Sequence, residues 1–206
     1  SLMFNSLVRK NASFDYEGEL AKEIKTSEDG KAITFILRDN VKFHDGKPFT
    51  SADVKYTFDE LFRTKGYKSF AFYDTVNKAP VAHIISIDTP DAGTVVFNLA
   101  RPELKNQLLS NLVAIPIISQ GSSSQIKAAP VGTGPFKFVS FDQSQNTVDL
   151  AAFPDYWEGG PKVAKLRVKT VTDASALQAE LQTGGVDLAP VPSNLPPDSL
   201  KQLGAL

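Results

Sequence analysis

The sequence predicts an α+β fold, a mixed and mostly antiparallel β-sheet with helices packed against it. Three observations lead there. Short segments alternate apolar and polar residues with period two, turn residues separate consecutive alternating segments, and the few helical stretches do not fall into a regular strand-helix-strand rhythm. The chain has 206 residues, 42% of them apolar and 22% charged, which is ordinary globular composition. A chain of that length can bury roughly 70% of its unfolded surface, enough for a core without covalent staples.

The first clear strand places Ile33, Phe35 and Leu37 on one face and Thr34 and Arg38 on the other, the alternation of a half-buried strand. Asp29-Gly30 before it is a hairpin turn. After Phe43-His44-Asp45-Gly46-Lys47-Pro48, a helix is expected to begin at Thr50-Ser51-Ala52-Asp53. There Thr50 can cap free backbone N–H groups, and Asp53 suits the positive end of the helix dipole. Val54, Phe58, Leu61 and Phe62 then form an apolar stripe, leaving Lys55, Asp59 and Glu60 to water.

Strands are next expected from Ile84 to Asp88 and from Thr94 to Leu99, joined at Pro90-Asp91-Ala92-Gly93 as a hairpin. Pro102 opens a second helix, with Leu104, Leu108 and Leu112 four residues apart and Pro116 beyond its end. Gly121-Ser122-Ser123-Ser124 reads as a flexible surface loop. Two strands between Phe136 and Ala151 flank the polar turn Asp142 to Asn146, and another runs from Lys165 to Val171. Asp173 caps a short helix burying Ala174, Leu177 and Leu181, which ends at Gly184-Gly185. Pro190 to Pro197 is too rich in proline for regular structure and reads as a stiff connector, with a last short helix from Asp198. No internal repeat is visible.

Composition excludes several classes of function. Lysine and arginine total 22 against 23 acids, a net charge of −1, so the chain has no long-range field to attract nucleic acid. There is no cysteine, which removes disulfides, thiolate catalysis and most structural zinc sites. No run of residues approaches the roughly 18 consecutive apolar positions of a membrane span. Ser1 to Leu7 lacks the basic segment and apolar core of a signal peptide, so localisation has to be inferred from elsewhere.

Catalytic and metal chemistry find little support. His44-Asp45 pairs imidazole with carboxylate, but adjacent residues need not face one target, and the only other histidine, His83, is distant and in a strand-like context. A structural role is expected for His44, with no metal site and no cofactor. Gly132-Thr133-Gly134-Pro135 resembles a phosphate cradle only superficially, because a phosphate loop opens a helix and here a strand pattern follows. There is no Gly-x-Ser-x-Gly elbow. Two aromatic clusters remain. Tyr67, Phe70, Phe72 and Tyr73 lie among Gly66, Lys68 and Ser69 with no clean helical or strand period, which leaves core packing and ligand contact both open. Phe153, Tyr156 and Trp157 read as a packed corner at a sheet edge.

Three blocks of these residues together resemble the extracytoplasmic solute-binding proteins of peptide and nickel ABC transporters, the bacterial solute-binding protein family 5 of oligopeptide- and dipeptide-binding type. The first runs from Leu20-Ala21 through Asp29-Gly30, Thr34 to Arg38 and Val41 to Pro48 to Thr50-Ser51-Ala52-Asp53-Val54. The second is Pro130-Val131-Gly132-Thr133-Gly134-Pro135-Phe136. The third runs from Pro154-Asp155-Tyr156-Trp157 through Asp173-Ala174 to Gly184-Gly185-Val186-Asp187.

The resemblance implies part of a two-lobed periplasmic binding protein-like II fold, with residues 1–189 a truncated first lobe and 190–206 a connector starting toward a second. It implies a monomeric, non-enzymatic component of an ABC importer that captures a peptide or other small solute outside the cytoplasmic membrane, periplasmic or lipid-anchored, and delivers it to a membrane permease. Charged groups that fix ligand ends in such proteins would come largely from parts of the protein outside this chain. The cleft candidates carried over by position are Tyr67, Ser69, Phe70, Phe72 and Tyr73 in the aromatic loop and Val191, Ser193 and Asn194 in the connector. Gly30, Gly46, Gly132 and Gly134 are expected to serve tight turns. The alternatives from other classes are a protein-interaction domain presenting the aromatic loop as a patch and a cleft hydrolase without a recognisable catalytic motif.

Overall fold

The structure, a computed structural model, describes residues 1–190 and 195–203. The chain divides into two compact units, Ser1–Val139 with Leu150–Leu166, and Ser140–Asp149 with Arg167–Leu206. In the first unit β1 (Val8–Lys10) pairs antiparallel with β2 (Tyr16–Gly18). Next come β3 (Ala21–Thr26), β4 (Ala32–Leu37) and helix α1 (Ser51–Thr64). A 3-10 turn at Tyr67–Phe72 leads into the hairpin β5 (Tyr73–Val76) and β6 (Ala79–Ala82), and then to β7 (Ile84–Asp91) and β8 (Thr94–Leu99). Pro102–Leu104 forms a 3-10 turn entering α2 (Lys105–Val113).

The central sheet has the order β3-β4-β8-β7, antiparallel throughout. The predicted alternation of β4 is found, with Ile33, Phe35 and Leu37 buried, and register places Phe35 opposite Val95 and Ile33 opposite Phe97. Helix α1 covers that face. Phe58 meets Phe97 edge-on at 5.1 Å between ring centroids, and Phe35 meets Phe97 at 5.5 Å. The helix starts where it does because the Asp53 carboxylate takes the Thr50 N–H at 2.8 Å and its hydroxyl at 3.3 Å, satisfying groups the helix cannot. Its other oxygen accepts the Gln120 N–H at 2.8 Å. Ser51 then donates from its hydroxyl to the Asp91 carbonyl at 2.6 Å, fixing the helix to the β7–β8 turn.

Around Pro90 and the 132–134 loop the structure differs from the sequence reading. Pro90 lies within β7 rather than in the turn, which tightens to Ala92-Gly93 between the paired Asp91 and Thr94. β7 is an edge strand, where a proline removes no needed ladder bond. Gly132 and Gly134 are not left-handed turn residues as Gly30 and Gly46 are. A Cβ on Gly132 would stand 2.0 Å from the Met3 carbonyl oxygen, and one on Gly134 would stand 2.6 Å from that of Leu2. Glycine is needed there because the N-terminal backbone crosses in contact.

Three further strands, β9 (Phe136–Asp142), β10 (Thr147–Ala152) and β11 (Lys165–Lys169), form a sheet of order β11-β10-β9. In the second unit the Asp142 carboxylate closes the predicted turn by accepting the N–H groups of Ser144 and Gln145. Asp149 and Arg167 pair through two bonds of 2.7 and 3.0 Å. Helix α3 (Ala174–Thr183) is capped by Asp173, which accepts the Ala176 N–H at 2.8 Å, and it stops at Gly184 in the left-handed region. It buries Leu177, whereas Ala174 and Leu181 are only partly covered. Helix α4 (Pro197–Leu203) ends the described chain. Among the described residues no helix is long and apolar enough to cross a membrane.

Candidate functional site

The aromatic loop has a period after all, and it is three. In a 3-10 turn the side chains at i and i+3 eclipse, so Ser69 and Phe72 share one face and Tyr67 and Phe70 another, while Tyr73 follows in extended backbone at the start of β5. The first face is inside, with Ser69 3% and Phe72 2% exposed; on the second Tyr67 is 80% and Phe70 66% exposed. Phe72 is a core residue, edge-on to Phe58 at 5.8 Å and to Phe62 at 5.7 Å. Tyr73 leans on Phe62 at 6.1 Å and opens β5. The candidates thus divide into anchors, Ser69 and Phe72, and presented rings, Tyr67, Phe70 and Tyr73.

Several contacts hold this turn. Lys65 ends α1 in a left-handed conformation, and the Ser69 N–H then closes on the Gly66 carbonyl at 2.7 Å. Asn111 on α2 donates to the Ala71 carbonyl at 2.7 Å, and the Lys68 ammonium donates to the Ala114 carbonyl at 2.6 Å. On the exit side the buried His83 donates its backbone N–H to the Phe72 carbonyl at 2.9 Å. Its ring Nε2 lies 3.0 Å from the Asp74 carboxylate, which Arg101 also contacts at 2.8 Å. The Arg101 guanidinium, and after it His83, hold the Asp74 carboxyl below the usual carboxylate range. Between the turn and the end of α2 lies an open pocket of about 260 Å³, lined by Tyr67, Lys68, Ala71 and Phe72 on one side and Ser110, Asn111, Ala114 and Ile115 on the other.

The remaining candidates are structural or lie elsewhere. His44 and Asp45 do not converge: Asp45 lies 3.3 Å from Lys47, while the His44 ring faces the 132–134 loop. Its Nδ1 accepts the Gly132 N–H at 3.2 Å and its Nε2 donates to the Gly134 carbonyl at 2.9 Å, which fixes the neutral tautomer protonated at Nε2. Among the described residues no group of three or more His, Cys, Asp and Glu side chains is placed to hold a metal ion. Phe153 is buried edge-on against His44 at 5.0 Å, and Trp157 carries the Arg38 guanidinium 4.3 Å above its ring. Packing, the reading favoured for that corner, is what these contacts do. Val191, Ser193 and Asn194 lie outside the described residues.

The family model of the bacterial extracellular solute-binding proteins, family 5 Middle, matches residues 15–205. The chain belongs to this family. A Brucella ovis protein carrying the name of an ABC transporter peptide-binding protein is 38% identical over 186 residues, covering 86% of this chain and 34% of its own. The dipeptide-binding protein of Escherichia coli is 30% identical over 211 residues, covering 93% of this chain and 39% of its own. Among solved structures, NikA of Brucella suis in complex with Fe(III)-EDTA superposes with a TM-score of 0.80 at 26% identity over 98% of this chain and 40% of that one. The chain therefore spans little more than a third of the length of these relatives, and the antiparallel α+β reading agrees with their fold.

Sequence reasoning missed the far wall of the pocket in this family 5 protein. Lys68 was seen only as a neighbour of aromatics, and Ser110, Asn111 and Ala114 sit on the side of α2 opposite its leucines, where polar residues read as solvated. No short-range pattern links residue 68 to residue 114. The one available signal was the three-residue spacing of Tyr67, Phe70 and Tyr73.

Proposed function

We propose that this chain supplies the greater part of the first lobe of a solute-binding protein, with residues 190–206 leading toward a second lobe. The whole protein captures a peptide or similar small solute outside the cytoplasmic membrane, in a periplasm or tethered to the outer face, and delivers it as a monomer to an ABC permease without catalysing a reaction. The observation that carries this reading is the family match across residues 15–205. It is supported by relatives named for peptide and dipeptide binding and by the exposed rings of Tyr67 and Phe70, held by a turn whose other face is anchored in the core. Rigid aromatics offer large contact area at small entropic cost.

Two lobes closing over a solute each provide part of its contacts, and the loss of translational and rotational freedom is incurred once. Residues 1–206 alone are therefore expected to bind weakly. Low-micromolar binding to them by calorimetry would contradict the two-lobe mechanism. The decisive experiment is mass spectrometry of solute released by denaturing the full-length protein. Short peptides support peptide capture, a single non-peptide solute keeps the capture role with another substrate, and no solute in any preparation, with no binding to a peptide library, would overturn it.

A further inference from the structure

We propose that Lys68 makes the pocket beside the aromatic turn selective for solutes that carry a carboxylate next to an apolar or aromatic group. The inference rests on the solute-capture reading of the same loop and adds the class of solute.

Among the residues lining this pocket, Lys68 alone carries a charge, and no carboxylate lines it. Among the described residues Lys68 has no acidic partner, so its charge is not consumed inside the protein. Its position is nevertheless fixed. The ammonium donates to the Ala114 carbonyl at 2.6 Å, at the C-terminus of α2, where free carbonyls and the helix dipole favour a cation. An ammonium has three N–H donors. One is taken by Ala114, which leaves two to donate to an incoming oxygen.

The Asn111 amide donates one of its two N–H groups to the Ala71 carbonyl at 2.7 Å, and Ser110 adds a neutral hydroxyl. Around Lys68 the pocket presents Tyr67, Ala71, Phe72 and Ile115, with Ser110 and Asn111 as neutral polar neighbours. A carboxylate beside a hydrophobic group fits that combination, because charge-assisted bonds to an ammonium are about twice as strong as neutral ones, while a ligand ammonium would meet like charge. At about 260 Å³ the pocket is below the roughly 300–1,000 Å³ of whole-ligand sites and suits one side chain or one terminus.

The test is calorimetric titration of the full-length protein and its Lys68→Met and Lys68→Arg variants with the dipeptide Ala-Phe, its C-terminal amide, the amide of Ala-Glu, and gluconate. The wild type is expected to prefer the free acid over the amide. Lys68→Met should weaken the free acid about tenfold and change the amide less than twofold, and Lys68→Arg should keep most of the affinity. Binding of Ala-Glu amide with the same Lys68 dependence supports a reader of side-chain carboxylates as well, dependence confined to Ala-Phe supports a reader of peptide C-termini, and gluconate binding as tightly as Ala-Phe would overturn the apolar requirement. Equal affinity for acid and amide in the wild type, or equal losses for both in Lys68→Met, overturns the inference and leaves solute capture standing. Failure of the wild type to bind any of the four probes overturns the inference, and solute capture is then decided separately by the mass spectrometry of released solute.

Discussion

His44 and Gly134, 90 residues apart, are joined by a 2.9 Å hydrogen bond from the ring Nε2 to the backbone carbonyl. The other ring nitrogen accepts the Gly132 N–H, so the ring closes on the loop only while neutral. A second proton would set an N–H against an N–H. Burial first, and then the nearby Lys137, hold the His44 pKa below the usual histidine value, against the opposing pull of the Gly134 carbonyl and Asp45.

The sign of the pH effect follows. The unfolded state binds the proton more readily than the folded one, so this contribution is fully present above the unfolded histidine pKa of about 6.5 and is lost as pH falls below it. The midpoint of urea unfolding should drop between pH 7.5 and 5.5, a window above most carboxylate titration. In His44→Gln the slope over that window should flatten. An unchanged slope would show that His44 does not titrate against the loop.

Gly132 and Gly46 should separate two kinds of constraint. In Gly132→Ala the new methyl would meet the Met3 carbonyl oxygen, whereas Gly46, at φ +87°, has nothing within 4 Å of its Cβ direction. Overpacking typically costs about 1–3 kcal/mol and occasionally more, and Gly132→Ala is expected at or beyond the top of that range. Gly46→Ala is limited to the roughly 1–2 kcal/mol of a left-handed backbone. Chemical denaturation of both variants checks the ordering.

The two faces of the aromatic turn predict opposite behaviour. Phe72→Ala removes a ring packed on Phe58 and Phe62 and should cost about 3–5 kcal/mol of stability. Phe70→Ala, on the exposed face, should stay within about 0.5 kcal/mol of the parent. If the exposed rings contact solute, Phe70→Ala and Tyr67→Ala should nevertheless weaken binding by tenfold or more in the full-length protein. Thermal unfolding and calorimetry separate the two effects.

Asn5 and Glu19 hold a buried polar cluster that the single tryptophan can report. The Glu19 carboxylate accepts the Asn5 amide and the Ser6 N–H, each at 2.7 Å, and the Asn5 carbonyl oxygen accepts from Thr133 at 3.0 Å and from the Trp157 indole at 3.3 Å. Glu19→Ala strands two buried donors at about 1–3 kcal/mol each. A loss of about 2–5 kcal/mol is expected, with a red shift of Trp157 emission as water reaches the ring. Unchanged emission and stability would mean that the cluster reorganises around the loss.

The sequence by itself determined what a few neighbouring residues can encode. The alternation of Ile33, Phe35 and Leu37 defines β4, the Thr50 and Asp53 pair starts α1, and Asp173 with Gly184 bounds α3, because period and capping act over one or two turns of chain. The order of the three motif blocks was also enough to place the chain in its family. Tertiary structure decided the rest. Only folding brings Met3 against Gly132, His44 against Gly134 and Lys68 against Ala114, and only the 3-10 geometry of Tyr67–Phe72 sorts anchors from presented rings. These relations depend on how distant segments share one core, and no local pattern records which segments those are.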